Sequence, residues 1–188
     1  MNAKPARSVS PSGGSRLRRQ APVGMADEDA IAYLEHQHRE VEELFRQLEG
    51  ADAEDRRAAI LRTIADGLAI HTAIEEHHLY ASARPRLADD ISDGTMDDYH
   101  DIKRLLSDIV DVSVGDPAFE GKLKELRREV ERHVQNEERK LFPKLRRVFS
   151  AAELASLTQK MRVEQAALEG TEPRLRVYPD QAPNTALS

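Results

Sequence analysis

The sequence contains no cysteine and no tryptophan, and aromatic residues make up only 4% of its 188 residues. The absence of cysteine excludes disulfide bonds, thiolate metal sites and cysteine nucleophiles. Any metal site must therefore be built from histidine, aspartate, glutamate or tyrosine, a set of ligands that suits iron, manganese or zinc. The shortage of aromatic residues, together with many alanines, leucines, glutamates and arginines, favours helices over a β-sandwich or barrel.

Long apolar runs are also missing. No run approaches the length of a membrane span, and no apolar segment of the kind found in secretory signals follows the arginines near the start. We therefore expect a cytoplasmic protein without a membrane partner. Glycine-rich loops that follow a strand are absent too, so no phosphate-binding or dinucleotide-binding site is predicted.

Charge is unevenly distributed along the chain. The segment that ends at Gly24 is basic: it holds Lys4, Arg7, Arg16, Arg18 and Arg19 but no acidic residue, in a setting rich in serine, proline and glycine. Residues 1–25 are therefore predicted to be a disordered basic tail, and residues 169–188, with three prolines, an irregular C-terminal tail. The acidic remainder, residues 26–168, is predicted to be one domain that does not itself bind nucleic acid.

Four long amphipathic patterns lie between the tails. The first follows Asp27 as an N-cap, the second ends at Pro85, the third covers about residues 95–113, and the fourth is followed by Pro143. A shorter helix is predicted over about residues 151–168. The inward positions of the first, second and fourth patterns recur in steps of three and four: Ile31, Leu34, His38, Val41, Phe45 and Leu48; Leu61, Ile64, Leu68, His71, Glu75 and Leu79; Leu123, Leu126, Val130, His133, Glu137 and Leu141.

The second and fourth patterns superimpose when one is shifted along the chain so that His71 pairs with His133 and Glu75 with Glu137. We call this shift the repeat offset. Two copies of a helix pair joined by modest loops indicate pseudo-twofold symmetry. The predicted fold class is therefore all-α, an up-down-up-down four-helix bundle with a short C-terminal helix.

Five polar residues occupy positions where a bundle normally has leucine: His38, His71, Glu75, His133 and Glu137. A buried, ionised carboxylate needs a positive partner, and a buried imidazole needs its nitrogens satisfied. In the two His-x-x-x-Glu segments both side chains lie on one helix face, about a turn apart. A pair of metal cations bridged by the two glutamates would satisfy the whole set. The alternative from the residues alone is a buried hydrogen-bond network of histidine and glutamate.

Three segments then resemble the hemerythrin-like HHE cation-binding family: HREVEELF from His38, HTAIEEHHLY from His71, and HVQNEERKLFPKLR from His133. The segment AELASLTQKM, from Ala152, is also similar to family members. The resemblance covers about residues 26–168. It implies a four-helix bundle with two non-haem iron ions, bridged by oxygen, whose open position meets O₂, peroxide or nitric oxide. It also implies that the five buried polar residues are iron ligands.

The third helix departs from the family pattern at Tyr99 and His100. Oxygen-carrying hemerythrins have a further histidine one turn beyond the third-helix ligand, whereas this chain has Lys103 and Arg104 at the two corresponding positions. The hydrophobic phase places Tyr99 inward, because apolar residues follow it at the same steps as they follow His38. The repeat offset instead pairs His38 with His100. Both residues therefore stand as candidate metal ligands, with Tyr99 favoured by the phase.

Tyrosine ligation would bear on function, because a phenolate stabilises ferric iron and ferric iron does not carry O₂ reversibly. The resemblance therefore implies a non-haem di-iron protein that senses or reacts with O₂, peroxide or nitric oxide. Two alternatives stay open: a catalase-like enzyme that disproportionates peroxide, and an iron or oxygen buffer without catalysis. A metal-free helical interaction module is the third class.

Overall fold

The structure is a computed structural model that describes residues 28–87 and 93–176, and it describes residues 93–99 by their backbone. The predicted basic tail, residues 1–25, lies outside the described residues, as do residues 177–188. The described part contains five main helices. They are α1, Ala30–Glu49; α2, Glu54–Ile74, which continues through Glu75–Tyr80 and Ala81–Ala83; α3, Asp93–Val110; α4, Phe119–Asn136, which continues through Glu137–Leu141 and Phe142–Val148; and α5, Ala151–Leu168.

The helices form the predicted up-down-up-down bundle, and the all-α fold class is confirmed. α1 packs along α2 and α3 packs along α4, while α2 also contacts α3. α5 lies against α1 and α2. A short 3₁₀ helix, Pro173–Arg176, returns to α2, where the guanidinium of Arg174 donates to Asp66. None of the helices in the described ranges has the apolar length that crossing a bilayer requires.

The hydrophobic core is divided into two clusters. One joins the start of α1 to the ends of α2 and α4 and to α5, and its members include Ile31, Leu34, Ile74, Leu79, Phe142, Leu145, Leu157 and Met161. The other joins the end of α1 to α2, to α3 and to the first part of α4, and its members include Phe45, Leu48, Ile64, Leu68, Ile102, Leu106, Ile109 and Leu126. His38 stands between Leu34 and Phe45 on α1, so the buried polar residues lie where the two clusters meet.

Helix boundaries differ from the sequence prediction in three places. The N-cap of α1 is Asp29 and not Asp27, because the carboxylate of Asp29 accepts the Ala32 N–H at 2.9 Å. α3 runs from Asp93 to Val110, so it begins and ends slightly before the predicted range of about residues 95–113. Helix α4 runs past Pro143 to Val148, because the proline stands in the first turn after a π-helical segment, where its missing N–H is tolerated. α5 matches its predicted range and begins with a capping box between Ser150 and Glu153.

Both His-x-x-x-Glu segments run into a π-helical turn. The first π-helical segment is Glu75–Tyr80 and the second is Glu137–Leu141, and each begins at the glutamate of its motif. π-Turns are rare and occur frequently at functional sites, because the wider hydrogen-bonding register moves the side chains that follow. The internal repeat therefore extends from the residues to an unusual backbone conformation.

Candidate metal centre

Five buried donor residues from three helices converge at one level of the bundle. α1 contributes His38, α2 contributes His71 and Glu75, and α4 contributes His133 and Glu137. Each of the five is at most 5% exposed. One nitrogen or oxygen atom from each of the five lies within 4.8 Å of those from all the others. The structure thus brings together all five residues that the sequence placed on the inward stripes.

The two carboxylates each lie between two imidazoles. The Oε2 atom of Glu75 is 3.2 Å from Nε2 of His71 and 3.7 Å from Nε2 of His133. The Oε2 atom of Glu137 is 3.3 Å from Nε2 of His38 and 3.5 Å from Nε2 of His133. His133 therefore faces both carboxylates, and the five donors form one connected cluster.

Hydrogen bonds outside the cluster fix the orientation of two imidazoles. The Nδ1–H of His71 donates to the amide Oε1 of Gln37 at 2.8 Å, and Nδ1 of His38 lies 3.0 Å from Oε1 of Glu138. An Nδ1 atom that keeps its proton in such a hydrogen bond leaves the Nε2 atom of the same ring free to bind a metal. Both Nε2 atoms are buried and make no aligned hydrogen bond with the described residues.

The ionisation of the cluster reflects its two buried carboxylates. Burial raises the pKa of Glu75, but the imidazoles of His71 and His133 together lower it by more. The pKa of Glu75 therefore falls well below the usual range of glutamate. Burial lowers the pKa of His38, but Glu137 and the other nearby carboxylates raise it above its ordinary value. Both directions have the same physical cause, which is that negative charge buried here requires a cation close by.

Two residues that surround the donors were not predicted from the sequence. The hydroxyl of Tyr80 donates to Oε1 of Glu137 at 2.6 Å, and the ring of Phe142 stacks on His38 with 5.9 Å between ring centroids. Tyr80 ends the HTAIEEHHLY segment and Phe142 follows Leu141 in the fourth pattern, so both stood beside the motifs. Nothing in the spacing showed that either side chain touches a donor on another helix.

Glu138 and Gln37 were likewise missed, although each is a sequence neighbour of a donor. Arg39 donates to both carboxylate oxygens of Glu138 at 2.6 and 2.7 Å. Burial raises the pKa of Glu138, and the contacts with Arg39 and His38 then bring that pKa below its ordinary value. The one available signal was that Glu76 and Glu138 are paired by the same repeat offset. Their partners differ, because Glu76 accepts from Lys103 of α3 at 3.0 Å.

The third helix shows which of its residues face the core. Ile102, Leu106 and Ile109 are fully buried, as the hydrophobic phase predicted, whereas His100 is exposed and does not lie among the clustered donors. The side chain of Tyr99 lies outside the described part of the structure. Lys103, one of the two residues at which the resemblance would place a further histidine, forms an ion pair with Glu76.

The donor set fits one or more metal ions. It supplies three imidazole nitrogens and two carboxylates without sulfur, a combination suited to iron, manganese or zinc. Bonds of about 2.1 Å put opposite ligands of one ion about 4.2 Å apart, which is within the span of the cluster. The ordered outer hydrogen bonds on His38 and His71 are those that metal-ligating histidines almost always make.

Comparisons with known proteins agree with the site and the fold. The model of the hemerythrin HHE cation binding domain matches residues 29–145 and also residues 93–186. The second match begins at α3, as expected if the second helix pair repeats the first. A crystal structure of a hemerythrin HHE cation binding domain-containing protein from Mycobacterium kansasii has a similar fold, with a TM-score of 0.68 and 23% sequence identity. That alignment covers 81% of this chain and 94% of the other.

No curated protein matches the sequence significantly. The family match nevertheless spans more than half of the chain and includes all five clustered donors. The chain therefore belongs to the hemerythrin HHE cation-binding domain family.

Proposed function

We propose that this protein binds two non-haem iron ions, bridged by oxygen, and senses or reacts with O₂, peroxide or nitric oxide. One observation carries the proposal: five buried donors, two of them carboxylates on facing helices, converge within 4.8 Å. Two carboxylates at one depth call for more positive charge than a single imidazolium supplies. Each glutamate has two oxygens and two imidazole neighbours, so either carboxylate could bridge a pair of ions.

The residues around the donors would prepare the site for the metal. Gln37 and Glu138 hold His71 and His38 with their Nε2 lone pairs inward, and Tyr80 holds one oxygen of Glu137. Burial keeps water from competing for the carboxylates. When bound there, iron would supply one-electron redox chemistry and open coordination positions for a small oxidant.

We propose Tyr99 as the ligand from the third helix. The register that buries Ile102 and Leu106 puts position 99 on the same helix face, whereas His100 is exposed. A phenolate oxygen is a hard, anionic donor that favours ferric iron. That preference suits a sensor or a peroxide-consuming enzyme better than a reversible carrier of O₂, which has to begin from ferrous iron.

The first experiment measures metal content and ligand response on the full chain. Elemental analysis should give about two irons per chain. A protein that contains no metal after purification and takes up none on reconstitution with iron would contradict the proposal and favour a metal-free interaction module. The reduced, iron-loaded protein should change its absorption spectrum with O₂, peroxide or nitric oxide. An iron-loaded protein that responds to none of them would leave only the role of an iron buffer.

The catalase-like alternative has its own measurement. Two molecules of hydrogen peroxide would give one O₂ and two waters, so O₂ evolution is followed with an electrode after peroxide is added to the iron-loaded protein. Turnover above that of the same concentration of iron in solution supports an enzyme. Spectral change without turnover supports a sensor. A Glu75→Gln variant serves as the control, because it keeps the side-chain volume but removes a proposed ligand charge.

We also propose that residues 26–168 form the cation-binding domain and that residues 1–25 and 169–188 lie outside it. In the described part of the latter segment, Arg174 contacts Asp66 of α2. A chain that starts at residue 26 should bind as much iron as the full chain, and a loss of iron on that truncation would contradict the boundary.

A further inference from the structure

A cavity of about 560 Å³ opens from the surface between α1 and α2 and ends at His38, His71 and His133. Sites for small organic molecules typically occupy about 300–1,000 Å³. A molecule the size of water takes up only about 30 Å³. The cavity is therefore much larger than O₂, peroxide or nitric oxide requires, and its volume matches an organic ligand held against the donor cluster.

The walls of this cavity are mainly apolar. They include Val41 and Leu44 of α1, Leu68 of α2, and Val130 and Val134 of α4. The polar side chains of Gln37, Thr63 and Gln165 also reach the lining. Apolar walls with a few polar groups are typical of a ligand site, because the walls supply affinity and the polar groups select the orientation.

An exposed glycine in the middle of α2 lines the cavity. Gly67 lies inside the helix, where glycine is less favourable than alanine by about 1 kcal/mol. A Cβ atom at this position would meet nothing within 4 Å, and the backbone there does not have the positive φ that favours glycine. Neither packing nor backbone geometry requires Gly67. A larger side chain at this exposed position would stand at the wall that Gly67 lines, without meeting a neighbouring atom at its Cβ.

The charges at the mouth favour a cationic ligand. Four carboxylates line the cavity, those of Glu40, Glu43, Asp66 and Glu169, and no lysine or arginine of the described residues does. Outside the lining, Arg46 pairs with Glu43 and Arg174 pairs with Asp66. Glu40 contacts His36 at 3.4 Å and Glu169 accepts from Gln165, and neither has an arginine or lysine partner in the described ranges. At the mouth of the cavity these carboxylates would repel an organic anion and attract an organic cation.

We propose that the cavity binds a small organic cation with an apolar body, its apolar part between α1, α2 and α4 and its charge near Glu40 and Glu169. This site rests on the proposed function in one respect, since its inner wall is the proposed metal centre. The bound cation would lie against that centre. Binding itself depends on the cavity walls, so it is measured separately from iron content.

Isothermal titration calorimetry on the full, iron-loaded chain tests the proposal with three probes of one shape: benzylamine, benzyl alcohol and benzoate. We expect saturable binding of benzylamine, weaker binding of the neutral alcohol, and at least about tenfold weaker binding of benzoate, which corresponds to about 1.4 kcal/mol. Absence of saturable benzylamine binding overturns the site. Equal or tighter binding of benzyl alcohol or benzoate overturns the charge selection.

Two glycine variants provide a matched comparison. Gly67→Leu fills space in the cavity and should weaken benzylamine binding at least tenfold, whereas Gly121→Leu, also at a helical glycine with nothing within 4 Å but away from the cavity, should leave it unchanged. Both substitutions replace glycine with a better helix former, so neither is expected to unfold the protein. Equal effects of the two variants would overturn the assignment to this cavity. A protein that binds benzylamine but takes up no iron would contradict the proposed function alone. A protein that takes up iron but does not bind benzylamine would contradict the cavity proposal alone.

Discussion

Gln37 of α1 accepts a hydrogen bond from Nδ1–H of His71 of α2, with 2.8 Å between Oε1 and Nδ1. The orientation of this amide is set from the other side, because the Nε2 group of Gln37 donates to Oε1 of Gln165 at 2.7 Å. The same oxygen of Gln165 also accepts from the hydroxyl of Tyr33. The helix α5 therefore determines which way Gln37 faces, and Gln37 determines which nitrogen of His71 is left for a metal.

Replacing Gln37 with leucine should weaken metal binding. The variant removes the acceptor that holds the Nδ1–H tautomer of His71, and the loss of such an outer hydrogen bond typically lowers metal affinity about 10–100-fold. The measurement is the rate at which a competing chelator removes iron from the loaded protein. Gln47→Leu is the matched control on the same helix, since Gln47 donates to Glu43 on the exposed face of α1. Equal rates for the two variants would show that Gln37 has no positioning role.

Replacing Tyr80 with phenylalanine should destabilise the metal-free protein more than the same change at Tyr33. The Tyr80 hydroxyl donates to the buried carboxylate of Glu137, and a hydrogen bond to a charged group contributes about 1.5–3 kcal/mol. The Tyr33 hydroxyl donates to a neutral amide, for which about 0.5–1.5 kcal/mol is expected. Urea denaturation of both variants measures the two free energies of unfolding, and a larger loss for Tyr33→Phe would contradict this ranking.

The sequence was sufficient to place the donors because their positions depend on helical periodicity. His38, His71 and His133 interrupt stripes of leucine, isoleucine and valine, and a stripe that is buried in the bundle has to bring them together. The same periodicity predicted that Ile102 and Leu106 face the core. The internal repeat showed that α2 and α4 are equivalent helices of two repeated pairs. The four-helix bundle was predicted from that equivalence.

The parts that the sequence did not predict depend on partners from other helices. Gln165 orients Gln37 from a helix that is 128 residues away in the chain, and no spacing rule connects the two. No residue type marks the π-helical turns at Glu75 and Glu137 in the sequence. These turns change the backbone hydrogen-bonding register and with it the direction of the side chains. Pro143 follows the fourth sequence pattern, yet α4 continues past it to Val148.

Spectra of two third-helix variants should decide between Tyr99 and His100. If Tyr99 binds ferric iron, the protein should show a broad visible band from phenolate-to-iron charge transfer, and Tyr99→Phe should remove it. His100→Ala should leave the spectrum and the iron content unchanged, because His100 is exposed. A spectrum that survives Tyr99→Phe and collapses in His100→Ala would contradict the proposed ligand and favour the residue that the repeat offset selects.

The N-cap of α1 should make stability depend on pH in acid. Burial raises the pKa of Asp29, but the backbone N–H of Ala32 and the guanidinium of Arg146 lower it below its ordinary value. Since the folded protein binds the proton less tightly than the unfolded chain, this contribution is fully present above the unfolded pKa and is lost as the pH falls through the folded pKa.

Asp29→Asn isolates that charge, because asparagine caps helices about as well as aspartate. The wild type should be more stable than the variant at neutral pH by less than about 1 kcal/mol, as for other partly exposed ion pairs. Urea denaturation over a series of pH values should show this difference shrinking below about pH 4, where an unfolded aspartate takes up its proton. A difference that stays constant down to the acid limb would show that the charge of Asp29 plays no part.

Iron should raise the thermal stability of the protein, and the two buried glutamates should be required for the effect. A ligand at about 100 times its dissociation constant stabilises the folded state by about 2.7 kcal/mol, which for a chain of this size raises Tm by about 5–10 °C. Glu75→Gln and Glu137→Gln should lose most of this increase, because each removes a charge at the centre of the donor cluster. Glu76→Gln should keep it, since Glu76 is the neighbour of Glu75 but bonds with Lys103 outside the cluster. Thermal unfolding of the iron-loaded and chelator-treated forms of each variant gives the comparison, and an equal iron-dependent shift in Glu75→Gln and Glu76→Gln would place the metal elsewhere.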